Sequence, residues 1–168
     1  MSGFRIGFGY DSHRFSAEQP GRRLILGGVE IPDAAGLVGH SDADVLVHAI
    51  IDALLGAVAH GDIGSHFPDT DERWKGADSM KLLAAVVAEV EKAGWSVGNV
   101  DATVICERPK LRPFIDAIRQ SLARVLTPNA ADCAAVSVKG KTNERMDDVG
   151  AGVGIEVHAV ALLTRKEA

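Results

Sequence analysis

Near its N-terminus the sequence GYDSHRF (residues 9–15) places Asp11 and His13 two residues apart. In an extended strand these two side chains leave the same face, about 7 Å apart at the backbone. His48 offers a third metal-ligand type from the segment SDADVLVHAIIDALL, whose apolar residues recur at helical spacing. Two histidines and one carboxylate leave the fourth tetrahedral position open, which is typical of a catalytic rather than a structural zinc site.

His48 also has a simpler interpretation. A lone helical histidine is more often a core residue that pairs with a neighbouring carboxylate, and Asp44 and Asp52 lie four residues before and after it. In the metal hypothesis these two aspartates would instead orient the ring of His48 from behind the ligand shell. The residue spacing alone leaves both interpretations open.

A phosphate could bind where this helix begins. Ser41 or Asp42 would cap the helix, and the free backbone amides of its first turn could bind an anion together with His40. The later segment KGKTNE combines the lysine pair Lys139 and Lys141 with Thr142 and Glu144. This set would suit a phosphate beside a divalent ion, although a charged strand end is the simpler interpretation.

The elements that must position these residues alternate between strands and helices. Strands are predicted over 4–10, 23–32, 100–109, AAVSVKGKTN and GIEVHAVALL, and helices over 41–59, 79–95 and 111–126. The polar, glycine-rich segment 60–78 between the first two helices is predicted to be a functional loop. This order predicts one domain over residues 1–168, an α/β fold with a mixed four-stranded sheet and helices packed on one face.

The composition narrows the possible partners. The chain has 168 residues and a net charge of −5, which argues against broad binding to nucleic acid. No apolar stretch is long enough to span a bilayer, and the first residues resemble neither a signal nor a transit peptide, so we expect a cytoplasmic protein. Cys106 and Cys133 form no CxxC pair and are expected to be free thiols.

The last predicted strand is apolar on both faces. Ile155, Val157 and Ala159 alternate with Val160 and Leu162 on the opposite side. A sheet with two apolar faces needs a second covering layer, so we expect an oligomer whose sheets face inward.

Several long motifs occur in one order along the chain. They are GYDSHRF, LILGGVEIP, GLVGHSDADVLVHAIIDALLGA, GDIGSHFPDTDERWKGADS, NVDATVI, PKLRPFI and KTNE. Through them the chain resembles the 2-C-methyl-D-erythritol 2,4-cyclodiphosphate synthase family almost from end to end.

The resemblance implies metal ligands and catalytic groups. Asp11, His13 and His48 would bind Zn²⁺, and Glu144 would bind a second divalent ion, Mg²⁺ or Mn²⁺. His40 would stabilise the transition state, and Thr142 would hold the diphosphate.

The resemblance also implies a substrate-binding surface built from several segments, which contact the phosphates, the methylerythritol part and the cytidine. His40 and Ser41 would contact the phosphates, and the methylerythritol part would contact Asp62, Ile63, Gly64, Phe67, Pro68, Asp69, Thr70 and Asp71. The cytidine would lie against Cys106, Glu107, Arg108, Pro109, Lys110, Leu111, Arg112, Gly140, Lys141 and Thr142. The implied set is completed by Asp11, Ser12, His13, Asn143 and Glu144. Members of this family resemble a homotrimeric prism with active sites between subunits, which agrees with the two-faced last strand.

The implied reaction needs positioning more than acid or base. The 2-phosphate of 4-diphosphocytidyl-2-C-methyl-D-erythritol 2-phosphate attacks the β-phosphorus and expels CMP, which closes a cyclic diphosphate in the methylerythritol phosphate route to isoprenoids. The phosphate is already ionised at neutral pH, so the obstacles are the approach of two anions and the folding of a flexible chain. Two divalent ions would act as Lewis acid and template.

The chain departs from this family after Glu144. It reads RMDDVGAGVG, with Asp148 and Ala151, where many relatives have an aromatic residue and an arginine that line a central cavity linked to an isoprenoid diphosphate. The lost positive charge argues against such a ligand here.

Two other functions are compatible with the same residues. A zinc-dependent phosphohydrolase would use the metal ligands to activate water and would form no ring. A catalytically silent trimeric binding protein would hold the metal without turnover.

Overall fold

A computed structural model describes residues 3–16, 21–128 and 133–166. The strands are β1 (Phe4–Arg14), β2 (Leu24–Leu26), β3 (Val29–Ile31), β4 (Trp95–Ile105), β5 (Val136–Lys141) and β6 (Gly154–Arg165). The helices are α1 (Val45–Val58), α2 (Ile63–His66), α3 (Ser79–Lys92), α4 (Ile115–Leu126) and α5 (Asp147–Gly150). In this part of the chain, no helix combines the length and the apolar character needed to cross a membrane.

The predicted mixed four-stranded sheet is confirmed. Its strand order is β1-β6-β4-β5, with β4 and β5 parallel and the other pairs antiparallel. The segment predicted as one strand over 23–32 is instead the hairpin β2-β3, which lies outside this sheet. Gly27 and Gly28 both have positive φ, so they form the tight turn that divides the segment in two.

The first strand is longer than predicted and contains the whole DSH segment. β1 pairs with β6 in continuous antiparallel register as far as Arg14 and Gly154, so the backbone through Asp11 and His13 is extended. Side chains on β1 alternate between buried or half-buried and exposed positions from Gly7 onward. Asp11 and His13 therefore share one face, as the sequence predicts.

The predicted N-cap of the central helix is wrong by two or three residues. Ala43 has a left-handed backbone (φ 58°), which is incompatible with a helix that begins at Ser41 or Asp42. Asp44 caps α1 instead, because its carboxylate accepts the backbone N–H of Val47. The predicted helices 79–95 and 111–126 correspond to α3 and α4 with shifted ends, the latter preceded by a 3₁₀ turn over Arg112–Phe114.

α1 lies at the centre of the fold, buried on almost every side between the sheet and α3. Gly7 and Gly9 on β1 allow its close approach, since a Cβ atom at either position would overlap the carbonyl oxygen of Ala53 or Ala49. The backbones of β1 and α1 therefore pack with no side chain between them. This contact brings the later residues of β1 beside the middle of α1.

The opposite face of the sheet is uncovered and apolar in the single chain. Ile6 and Phe8 expose 64% and 61% of their surface, and Tyr10 and Val160 are also exposed. Inward-facing residues of β6, such as Val157, are completely buried. The sheet thus has an exposed apolar face opposite its buried face, as predicted for the last strand.

We expect Gly9→Ala to destabilise the fold by about 3 kcal/mol, the upper end of the usual cost of overpacking, because the new methyl group must displace the backbone of α1. The measurement is urea unfolding of both proteins, followed by circular dichroism. Gly3→Ala is the matched control, since a Cβ atom at Gly3 would meet no atom within 4 Å. Equal unfolding midpoints for the two variants would contradict the proposed role of the close contact.

Candidate active site

Asp11, His13 and His48 form one cluster between β1 and α1. The Oδ2 atom of Asp11 lies 3.1 Å from His13 Nε2 and 3.1 Å from His48 Nδ1. One potential ligand atom from each residue lies within 4.8 Å of the other two. The three side chains are only partly buried, so the cluster remains open to a ligand. The sequence-predicted ligand set is therefore brought together, and it can hold a divalent metal ion.

The hydrogen bonding of His13 fits a metal site. Its Nδ1 atom lies 2.6 Å from the carbonyl oxygen of Val38, which can only accept a hydrogen bond, so Nδ1 carries a proton. In the neutral ring, Nε2 is then an unprotonated acceptor that faces the Asp11 carboxylate, another acceptor. Two facing acceptors require a cation between them, either a proton or a metal ion.

The pKa values of Asp11 and His13 reflect their mutual attraction. Burial alone would raise the pKa of Asp11, but the hydrogen bonds and charges of the two histidines outweigh it and lower the pKa to about 2. Burial alone would lower the pKa of His13, but its hydrogen bond and attraction to Asp11 raise it overall. In the metal-free chain the site is therefore built to attract positive charge.

The prediction that Asp44 orients the ring of His48 is wrong. Its fully buried carboxylate accepts the backbone N–H groups of Gly27, Gly28 and Val47, so it joins the hairpin turn to the start of α1. The Asp44 carboxylate is therefore engaged by these three N–H groups and does not orient the ring of His48.

Asp52 also makes a different bond from the predicted one. Its carboxylate accepts the N–H of Ile63 and so anchors the first residue of α2 to α1. Asp52 thereby positions the DIG segment of the loop rather than bonding to the ring of His48.

His40 and Ser41 lie beside the cluster, and the anion site at the helix start stays a prediction. The carboxylate of Asp44 accepts one amide of the first turn of α1, that of Val47, and so competes with an anion there. The loop has its own support, because the guanidinium of Arg22 donates to the carbonyl oxygens of Gly39 and Ser41. Arg22 therefore fixes the loop that carries His40 and Ser41 beside the cluster.

A cavity of about 560 Å³ opens from the metal-ligand cluster. The walls include most of the residues predicted to bind the methylerythritol part. The lining residues are Asp11, His13, Gly39, His40, Ser41, His48, Ile63, Gly64, Phe67, Pro68, Asp69, Thr70, Trp74 and Leu82. Phe67 and Trp74 meet edge to face, with ring centroids 5.0 Å apart, and form an apolar wall.

Of the substrate contacts predicted between residues 11 and 71, three lie outside this cavity. The Asp62 carboxylate caps α2 through Ser65, and the Asp71 carboxylate caps a 3₁₀ turn and pairs with Arg73. Ser12 is exposed on the other face of β1, as expected for a residue between two inward-facing ligands. These residues shape the site from outside its lining.

A second cleft, of about 670 Å³, lies at the ends of β4 and β5. Its walls contain most of the predicted cytidine and diphosphate contacts. Two lysines and one arginine among the lining residues would attract phosphate. The lining residues are Cys106, Pro109, Lys110, Leu111, Arg112, Ile115, Asp116, Gly140, Lys141, Thr142 and Glu144. The hydroxyl of Thr142 donates to the Glu144 carboxylate, 2.8 Å away.

Glu107 beside this cleft and Cys106 in its wall have structural roles. The Glu107 carboxylate accepts the backbone N–H groups of Asn143 and Arg145 and so holds the loop that carries Glu144. Cys106 is buried, and burial raises the pKa of its thiol to about 11, so it is an unreactive wall residue. Arg108 lines a separate depression with Glu107 and Arg145.

The two clefts are separate within one chain. Among the described residues, none lines both of them. The metal-ligand cluster and the predicted nucleotide contacts therefore do not form a continuous site in the isolated subunit.

Several residues that line or support the site were missed by sequence reasoning. Trp74 and Leu82 line the metal-side cavity, and Ile115 and Asp116 line the second cleft. Ser79 contacts His48 directly, with 2.9 Å between Oγ and Nε2. No local motif reveals these contacts, because each depends on how separate elements pack.

The raised pKa of His13 predicts a pH-dependent stability of the metal-free protein. A group with a raised folded-state pKa stabilises the fold fully below its unfolded value of about 6.5, and loses this contribution as the pH rises through the raised value. We expect chelator-treated protein to unfold at a lower urea concentration at about pH 8.5 than at about pH 6, because the raised pKa of His13 makes its stabilising contribution weaken as the pH rises. His13→Gln should reduce this difference, and an unchanged difference would contradict the assignment.

Known proteins of similar sequence and structure identify the family of this chain. A family model described as the YgbB family matches residues 4–164. A 2-C-methyl-D-erythritol 2,4-cyclodiphosphate synthase from Brachyspira hyodysenteriae is 52% identical over 161 residues, which cover 96% of this chain and 98% of that protein.

Two solved structures share the fold. The bifunctional IspDF from Campylobacter jejuni matches with a TM-score of 0.90 and 36% identity, over 98% of this chain and 43% of that longer chain. IspF from Plasmodium falciparum, solved as a CDP complex, matches with a TM-score of 0.84 and 35% identity, over 99% of both chains. The chain therefore belongs to the YgbB family and, within it, to the 2-C-methyl-D-erythritol 2,4-cyclodiphosphate synthases.

Proposed function

We propose that this chain converts 4-diphosphocytidyl-2-C-methyl-D-erythritol 2-phosphate to 2-C-methyl-D-erythritol 2,4-cyclodiphosphate and CMP, a step of isoprenoid biosynthesis. A 2-phosphate oxygen forms a bond to the β-phosphorus. The bond from the β-phosphorus to the bridging oxygen breaks, and CMP leaves with that electron pair.

The observation that carries this proposal is the cluster of Asp11, His13 and His48 at the mouth of a cavity, in a chain whose relatives are named for this reaction. Zn²⁺ bound by the three ligands would act as a Lewis acid toward a phosphate oxygen. The ligand set leaves a coordination position for that oxygen, and the apolar wall beside it limits access of competing water.

His40 and Ser41 are proposed to bind phosphate oxygens beside this position. Both line the metal-side cavity. The Ser41 oxygen already accepts the N–H of Ala43, so its hydroxyl proton is available to a phosphate. His40 can donate a hydrogen bond to the charge that develops as the new bond forms.

The second cleft is proposed to hold the cytidine and the diphosphate, as the CDP complex of the Plasmodium falciparum relative supports. Lys110, Arg112 and Lys141 give the cleft positive charge. Thr142 would donate to the diphosphate, and Glu144 would hold Mg²⁺ or Mn²⁺ there. The bond between their side chains places hydroxyl and carboxylate together for these roles.

A homotrimer is proposed to join the two clefts. The substrate carries the reacting phosphates between its methylerythritol and cytidine ends, so both clefts must face one molecule, whereas one chain keeps them apart. The exposed apolar face with Ile6, Phe8 and Tyr10 would be covered by the same faces of the neighbouring subunits. Active sites would then lie between subunits.

We also propose a cytoplasmic location, which the free thiols of Cys106 and Cys133 support.

We expect His48→Ala to lower CMP formation by more than about 100-fold, since the metal loses one of three ligands. His60→Ala is the matched control, because His60 pairs with Glu89 on the surface and should retain activity. The assay is ³¹P NMR of the cytidyl substrate with the purified protein, where the cyclic diphosphate gives two coupled signals.

The same spectra separate the alternative functions. Inorganic phosphate or hydrolysed diphosphate without the coupled pair would indicate a phosphohydrolase, and metal binding without turnover would indicate a binding protein. Near-normal CMP release by the His48 variant would contradict the metal assignment.

We expect Phe8→Asp to weaken the assembly, because it places a charge in the centre of the exposed apolar face. Sedimentation velocity should show the wild-type chain at three times the mass of the variant. Turnover of the variant should fall with its degree of assembly, whereas its far-ultraviolet circular dichroism should be unchanged. A fully active monomeric variant would refute the proposal that subunits share the site.

A further inference from the structure

Behind His48, two residues form a hydrogen-bonded chain that the sequence motifs do not reveal. The Nε2 atom of His48 lies 2.9 Å from the hydroxyl oxygen of Ser79, which is completely buried at the start of α3. Ser79 in turn donates both its hydroxyl and its backbone N–H to the carboxylate of Asp42. The chain therefore runs from the loop before α1, through α3, to the ring of His48.

The chemistry of these groups sets the direction of every hydrogen bond. A carboxylate can only accept, so the hydroxyl proton of Ser79 points to Asp42. The oxygen of Ser79 then has only lone pairs for the ring, and Nε2 of His48 must supply the proton. In the neutral ring, Nδ1 is consequently unprotonated, and it is the atom that lies 3.1 Å from the Asp11 carboxylate.

We propose that Asp42 and Ser79 are positioning residues that hold His48 in the tautomer and orientation required to bind the metal through Nδ1. This inference rests on the metal role of His48 in the proposed function. It assigns to Asp42 and Ser79 the orienting role that the sequence pattern assigned to Asp44 and Asp52.

Both histidine ligands thus obtain their tautomer from the atom on the far side of the ring, but by different means. His13 uses the backbone carbonyl of Val38, which substitution cannot remove. His48 uses side chains, which substitution can remove. The hydrogen-bonded chain behind His48 can therefore be tested directly by substitution.

The same pair links the metal ligand to the substrate cavity. Asp42 directly follows Ser41, and its backbone N–H donates to the carbonyl oxygen of Ala77, near the end of the segment that contains Phe67 and Trp74. Ser79, the first residue of α3, lies two residues after Ala77. Asp42 and Ser79 therefore join the loop before α1 and the end of the cavity-wall segment to the ring of His48.

The first test is zinc affinity of the full chain, measured by competition with a coloured chelator. We expect Ser79→Ala to weaken zinc binding about tenfold, the lower end of the effect of losing such a partner, because the Ser41 oxygen remains 3.2 Å from Nε2. Asp42→Asn should weaken it at least as much, since its amide lets the Ser79 hydroxyl turn and donate to the ring. Ser121→Ala, a half-buried serine in α4, is the matched control and should bind zinc as the wild type does.

The second test reads the tautomer itself, by ¹⁵N NMR of the metal-free protein at a pH where the ring is neutral. We expect the wild-type His48 to carry its proton on Nε2, and the two variants to show a mixture of tautomers. A wild-type proton on Nδ1, or wild-type zinc affinity in both variants, would overturn the proposal.

These results remain distinct from those of the proposed function. If the wild-type chain bound no zinc, the proposed metal role would fail, and the NMR measurement would still decide the orientation of His48. If the wild type bound zinc tightly and both variants matched it, only the positioning role would fail. Circular dichroism of each variant identifies any loss of fold, and the wild-type NMR measurement is independent of the variants.

Discussion

The backbone contact between β1 and α1 is the constraint on which the rest of the site depends. Gly7 and Gly9 remove the side chains that would otherwise separate the strand from the helix. The next inward positions of the same strand are Asp11 and His13, which thereby reach the ring of His48 on the helix. A wider separation would leave the three ligands on two elements that cannot share an ion.

Around this contact, polar groups orient the rings of His13 and His48. A backbone carbonyl behind His13 and a hydroxyl behind His48 both direct an unprotonated nitrogen toward the Asp11 carboxylate. The arrangement concentrates acceptors at one point and so prefers a cation there. The aspartates that do not reach this point have separate roles: Asp44 joins the hairpin to α1, and Asp52 anchors α2.

Sequence reasoning could predict those parts of the site that depend on local periodicity. Alternation along a strand predicts that Asp11 and His13 share a face, and helical spacing predicts that His48 lies on a helix. It failed where a side chain bonds to a distant element. Asp44 stands four residues before His48, yet its carboxylate is drawn to the amides of Gly27 and Gly28, a turn seventeen and sixteen residues earlier. Ser79 is thirty-one residues from His48, and only the packing of α3 against α1 brings them together.

The two faces of β1 carry different halves of the proposed function. Its inward residues build the ligand cluster, and its outward residues, such as Phe8 and Tyr10, form the exposed apolar face. A slip of one residue in the pairing with β6 would exchange the two sets, because successive side chains point to opposite sides. A misregistered chain would therefore lose both the ligand cluster and the apolar outer face. In the proposed assembly, the same error that spoils the site would also keep the subunit from joining its neighbours.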